Sequence, residues 1–289
     1  MDTIRNPIEW GLDKLREAGL AMETAGGATL RGDQQVRTSP LPAIRRIRPA
    51  DLQAALRKGI EDFAVYRTDV MFICIIYPIV SVVLMHAAFN QGMLPLLFPL
   101  AAGFALVGPI AAIGLYEMSR RRERGLEASW VSAFNMVRAP SFGPILVLSV
   151  ALVALFVLWL VAAQLIYMAT LGPQPPASLA AFASDVLTTT EGWTMIAVGF
   201  AVGFLFAVIV LAISVVSFPM LIDRPVGVGV AVATSLSAVA ANPGPMALWG
   251  LVVAFGLLLG SIPAFLGLII VLPVLGHATW HLYRRVVAD

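Results

Sequence analysis

His277 and His281 stand four apart near the end of the chain, with Trp280 and Tyr283 beside them and Arg284 and Arg285 beyond. On a helix that spacing puts both imidazoles on one face, where two ligands could grip a metal ion. No cysteine or carboxylate lies nearby in sequence to complete such a site. We therefore read the pair as part of a His, Trp and Tyr belt at headgroup level, fixed by the arginines. Met71 and Cys74, three apart, with Met85 and His86 further on, offer soft ligands of the kind that suit Cu(I). The two pairs lie roughly three helical turns apart and do not converge. In a chain with 11 methionines, thioethers serve as packing. Cys74 is the only cysteine, which excludes an internal disulfide, a zinc knuckle and an iron–sulfur cage.

The remaining polar candidates are few. Glu117 precedes Arg120, Arg121 and Arg122 and reads as a boundary carboxylate paired to its own arginines. Gln164 and Tyr167 give one apolar segment its most polar face, and Ser214 and Ser217 do the same for the next. Across a bundle such groups more often join helices by hydrogen bonds than line a path. Asn135 and Asn242 read as cap or turn residues. Gly227-Val228-Gly229 has neither a preceding strand nor a following GK[ST], so it is not a nucleotide loop. No Ser-His-Asp, HExxH or paired-carboxylate pattern is present. The residues therefore predict no catalytic set, no cofactor and no metal.

The elements that carry these residues are set by composition. Of 289 residues, 59% are hydrophobic and 12% charged. From Ala139 to Tyr283 only Asp185, Glu191, Asp223 and Arg224 belong to the Asp, Glu, Lys and Arg class, too few for the polar shell of a water-soluble domain. The expected fold class is all-α: a polytopic membrane helix bundle of six spans, with amphipathic helices on the cytoplasmic side. The opening MDTIRNPIEW lacks the apolar stretch and cleavage site of a secretory signal, so the first hydrophobic helix is expected to direct insertion.

Residues 1–44 read as a flexible cytoplasmic tail, 45–69 as an amphipathic lead-in, and 70–289 as the six-helix transmembrane domain. In the lead-in, Leu52, Leu56, Ile60 and Phe63 recur at helical spacing, with Asp51, Arg57, Lys58, Glu61 and Asp62 off that stripe. This predicts a helix over 50–66, lying on the membrane surface or against the bundle. Spans are expected near 70–88, 94–117, 144–168 and 193–218, with 246–280 split around Gly260–Pro263.

Charge tests the threading. Eleven basic and ten acidic residues lie in the first 69 positions. The remaining arginines cluster in 118–141, at Arg224, and at Arg284 and Arg285, while loops 89–93 and 171–192 contain no Lys or Arg. An even number of spans with both termini cytoplasmic satisfies every cluster, and clusters this sparse predict no nucleic-acid partner. Two units share an organisation: Leu126–Val137 then Ala139-Pro140, and Val228–Ala240 then Asn242-Pro243, each after a polar turn and before a new span. They suggest a parallel internal repeat. Gly199 with Gly203, and Gly256 with Gly260, have the small-xxx-small spacing of close helix contacts inside a bundle.

Several local stretches resemble the DUF2189 family of bacterial predicted integral membrane proteins. They are Asp51-Leu52 and Gly59 to Phe63 in the lead-in, Gly114-Leu115-Tyr116-Glu117, Pro219 with Leu221-Ile222-Asp223-Arg224-Pro225, and the closing Gly276 to Arg284. The resemblance spans about 45–286 and implies a six-span bacterial inner-membrane protein without an established reaction. Some family members carry a label resembling cytochrome c oxidase subunit I, a twelve-span protein with several haem and copper histidines; this chain has three histidines. The expected function is a non-catalytic membrane component, an accessory or assembly factor of a larger complex in contact with the lipid bilayer. The alternative is a permease for a small neutral or apolar substrate.

Overall fold

In the computed structural model of the chain, the described residues are 41–75, 79, 82–83, 86, 93–129, 139, 141–263 and 265–288. Residues 1–40 of the expected tail, nine of the 19 residues of the first expected span, among them Met85, as well as Asn135 and most of the first repeat's surface helix lie outside them, as does the side chain of Cys74. Among the described residues the structure is helical, apart from one isolated antiparallel bridge between Ile44 and Val287.

α1 runs unbroken over Pro49–Cys74. Pro49 begins it, where a missing N–H costs no intrahelical bond, and Asp51 Oδ2 accepts from the Arg48 backbone N–H at 2.9 Å. The lead-in and the start of the first span are therefore one helix, packed against the bundle. Its buried face is Leu52, Ala55, Gly59, Asp62 and Val70, whereas Ile60 is 50% exposed. Leu52, Leu56 and Phe63 of the expected stripe pack on the core, but the face is centred on small residues, which allow the closest approach of a neighbouring helix, and this turns Ile60 outward.

After a 3-10 turn at Leu94–Leu96 come α2 (Leu97–Ala111) and α3 (Ile113–Glu123). Pro109 lies inside α2, and the chain steps from one helix to the next at Ala112. Backbone pairing continues across the step, from Ala112 N–H to the Gly108 carbonyl and from Tyr116 N–H to the Ala112 carbonyl, both 2.9 Å. α4 (Phe142–Thr170) is followed by a short helix absent from the sequence expectation, α5 (Leu179–Thr188). Ser178 caps α5 by accepting from Ala181 N–H, and Thr189 caps α6 (Thr190–Ser214) by accepting from Gly192 N–H. α7 (Ser217–Asp223) and α8 (Val228–Ala241) follow.

The segment 246–280 forms two helices, α9 (Pro243–Ser261) and α10 (Leu268–Val286). Their antiparallel crossing is tight: a Cβ on Gly260 would stand 2.8 Å from Leu268 Cδ2, and one on Gly256 would stand 3.3 Å from Val271 Cγ1. This glycine pair does serve an internal contact. Gly203 faces Trp159, whereas Gly199 faces open space.

Among the described residues, three stretches are long and apolar enough to cross a membrane: Phe142–Thr170, Thr190–Asp223 and Pro243–Ser261. α10 makes its most extensive packing with α1, and α4 packs between α2 and α6. The loops rich in charge converge at one end of the bundle. There Arg285 pairs with Asp51, Arg124 with Asp223 and Arg284 with Glu123. Asn242 ties the start of α9 to the segment before α1: its Oδ1 accepts from Ile47 N–H at 2.8 Å, and its Nδ2 donates to the Arg45 carbonyl at 3.1 Å. At the other end, Phe98 meets Phe200 with ring centroids 5.6 Å apart.

Candidate functional site

Small residues at Ala55 and Gly59 bring α1 against α10 so closely that a Cβ on Gly59 would stand 2.6 Å from Ala278 N. One turn further along the same face comes Asp62, three residues after Gly59 and only 3% exposed. Opposite it stand His277 and His281, one turn apart on α10. The spacing of those two histidines was legible in the sequence; their destination was not. They are 0% and 9% exposed, so they form no headgroup belt: they belong to the packed seam between α1, α3 and α10.

The hydrogen bonds fix the protonation pattern of this cluster. Asp62 Oδ2 accepts from Ser119 Oγ at 2.5 Å and from His281 Nε2 at 2.9 Å. Since the Ser119 proton is given to Asp62, His277 Nδ1 donates to Ser119 Oγ, at 2.7 Å. Arg122 Nη1 donates to the other carboxylate oxygen, Asp62 Oδ1. His277 Nε2 is a buried atom with no hydrogen-bond partner among the described residues. Burial raises the Asp62 pKa, but hydrogen bonds from His281 and Ser119 and the nearby imidazoles outweigh it and leave the group below the ordinary carboxylate value. One ionised carboxylate thus holds three helices together. Ser119 is 1% exposed, so the serine–imidazole–carboxylate contact has no face open to a substrate.

Sequence reasoning missed Asp62, Ser119 and Arg122 as members of one site. The available signal was the small-residue face of α1: Ala55 and Gly59 mark a close contact, and Asp62 shares that face by its spacing.

The other candidates separate from this cluster and from one another. Glu117 is 3% exposed and takes a two-pronged pair from Arg120, Nε to Oε2 at 2.7 Å and Nη2 to Oε1 at 3.0 Å. Arg121 Nη1 lies 3.7 Å from the same carboxylate. Tyr167 is closed against its own loop, with its hydroxyl donating to the Gln174 carbonyl at 2.5 Å and its ring edge on Phe182. Gln164, on the same helix, is half-buried. Ser214 and Ser217 donate within their own chain segment, to the carbonyls of Val210 and Ile213, rather than between helices.

Charge at the converging end is organised around Asp223 and Glu123. Asp223 accepts from Arg124 Nη2 and from the Tyr283 hydroxyl, both at 2.9 Å. Burial, and then the Asp223 charge, push the Tyr283 phenol above its ordinary value, so it stays a donor. Glu123 accepts from Trp280 Nε1 at 2.9 Å and from Arg284 Nε at 3.2 Å.

No curated protein and no solved structure matches the chain. The family evidence covers α2 to α7. It includes Gly114 to Glu117 and Pro219 to Asp223 among the stretches of resemblance, and stops short of Asp62, His277 and His281. Over residues 97–223 the chain matches the family model DUF2189, described as a predicted integral membrane protein, and three helices among its described residues are long and apolar enough to cross a membrane, as in an integral membrane protein.

Proposed function

We propose that this protein is a non-catalytic component of the bacterial inner membrane, an accessory or assembly subunit seated against a larger membrane complex. In this reading the chain crosses the membrane six times, with both termini and the arginine-rich end in the cytoplasm. The observation that carries it is the contrast between a sealed polar interior and an open apolar exterior. The polar groups best suited to chemistry or passage are spent inside the structure: Asp62 on its helix seam, Tyr167 on Gln174, Ser214 on Val210. Outside, Phe200, Phe204, Leu251 and Phe255 are all more than 60% exposed. Such a surface takes lipid or another membrane protein, and aromatic side chains supply the anchors of an interface.

Extraction in mild detergent followed by native electrophoresis tests this. A complex well above the mass of the 30.8 kDa chain is expected, and Phe204→Ala with Phe255→Ala, both exposed, should release the chain from it while leaving its thermal midpoint unchanged. A chain that migrates alone, and that catalyses flux of a neutral solute when placed in vesicles, would replace this reading with that of a permease.

A further inference from the structure

At the charged end Arg122, Arg124 and Arg285 each meet a carboxylate, Asp62, Asp223 and Asp51. Arg45, Arg46 and Arg48, in the segment that leads into α1, do not. All three are exposed, and among the described residues their side chains meet no carboxylate and make no hydrogen bond.

Their backbone, in contrast, is held along both edges. On one edge Arg45 N–H donates to the Val286 carbonyl at 2.8 Å, and Ala288 N–H donates to the Ala43 carbonyl at 2.9 Å. On the other, Asn242 accepts from Ile47 N–H and donates to the Arg45 carbonyl. In an extended chain the carbonyl before a residue and the N–H after it point the same way, so the Asn242 amide fixes that conformation at Arg46. Ile47 is only 7% exposed and turned inward, which leaves Arg46 and Arg48 outward on either side of it. Cations fixed on a clamped stretch of backbone, with no carboxylate beside them, favour an anion from outside the chain.

Position names that anion. Asn242, which holds the segment, is the residue before α9, and α9 is an apolar span. The arginines therefore lie where this span leaves the hydrocarbon, with Leu248 and Leu251 exposed further along it. The negative groups at that level are lipid phosphates, whose oxygens match a planar guanidinium fork.

We propose that the 45–48 segment is a binding site for anionic phospholipid headgroups, with Arg46 and Arg48 on the phosphate and Arg45 adding charge beside them. The site does not depend on whether the protein is an accessory subunit or a permease.

Native mass spectrometry of the full chain in detergent tests the proposal, with phosphatidylglycerol and phosphatidylcholine added in equal amounts. Wild type should retain phosphatidylglycerol in preference. Arg46→Gln and Arg48→Gln should each cut that preference about fivefold, the effect of one basic residue at an anionic surface. Adding Arg45→Gln to both should cut it further. These side chains meet no polar partner among the described residues, and glutamine keeps the backbone bonds, so the variants should keep the wild-type thermal midpoint. Arg57→Gln removes an exposed arginine already paired with Glu61 and should retain the lipid as wild type does. Equal retention of the two lipids by wild type, an unchanged preference in the triple variant, or an equal loss in Arg57→Gln overturns the proposal. So does binding of glycerol phosphate in place of the lipid, which would make a soluble compound the ligand.

Discussion

Asp62 joins three helices through one carboxylate, shared by Ser119, Arg122 and His281. A carboxyl group whose pKa is lower in the folded than in the unfolded chain stabilises the fold at pH above its ordinary value of 3.8. That contribution is lost as acid carries the pH down through the folded value. Asp62→Asn should therefore flatten the acid limb of the thermal midpoint below pH 3.8, measured in detergent against wild type. At neutral pH the same variant should lose about 3 kcal/mol, since removing one member of a buried pair strands its partners. Parallel acid limbs in the two proteins would show that another group carries the dependence. Asn242 makes a second, separable residue-scale case. Asn242→Ala removes the bonds to Ile47 N–H and the carbonyls of Arg45 and Ala238. A cost of about 2 kcal/mol is expected, with faster amide exchange confined to residues 44–48 as the direct readout. Of these features, the helical spacing of His277 and His281 and the turn role of Asn242 could be read in advance. Asp62 could not be placed from its own segment alone, because the group that makes burial of a carboxylate affordable lies on a helix far along the chain.

At the scale of elements, the long apolar runs follow directly from the sequence: α4, α6 and α9 consist of near-continuous apolar residues. The caps Ser178 and Thr189, and the short helix α5 between them, were not anticipated in the loop expected over 171–192. What local pattern did not supply is the centre of the inward face of α1. Leu52, Leu56 and Phe63 of the expected stripe pack on the core, but Ile60 is outward and the closest contact is built on Ala55 and Gly59. Two glycine substitutions separate contact from propensity. Gly59→Val should lower the thermal midpoint by the equivalent of about 3 kcal/mol, because its Cβ would collide with the α10 backbone at Ala278 and Val274. Gly199→Ala meets nothing within 4 Å and should leave the midpoint unchanged or raise it, by up to about 1 kcal/mol of helix propensity. Equal effects at the two positions would contradict the close packing of α1 on α10.

For the molecule as a whole, the distribution of charge was the most informative feature of the sequence: it grouped the N-terminal region, 118–141, Arg224 and the closing arginines, and the structure brings the described parts of those segments to one end. The α9–α10 turn lies away from that end, which gives a direct test of the proposed threading. In a background with Cys74 replaced by Ser, Leu266→Cys should react with a membrane-impermeant thiol reagent added to the periplasmic side of intact cells. Arg124→Cys should react only after the membrane is opened. The reverse pattern would invert the orientation, and labelling of both from one side would exclude an odd number of crossings between them.

The bond between His281 and Asp62 joins residues 219 apart in the chain. During synthesis α1 is therefore complete long before the ribosome has made its permanent neighbour, and until then Asp62 has only Ser119 and Arg122 of its three hydrogen-bonding partners within reach. Closure of this seam is a late maturation event. A chain ending before α10 keeps Ser119 and Arg122 as partners of Asp62 but lacks the His281 bond and the helix that buries the carboxylate.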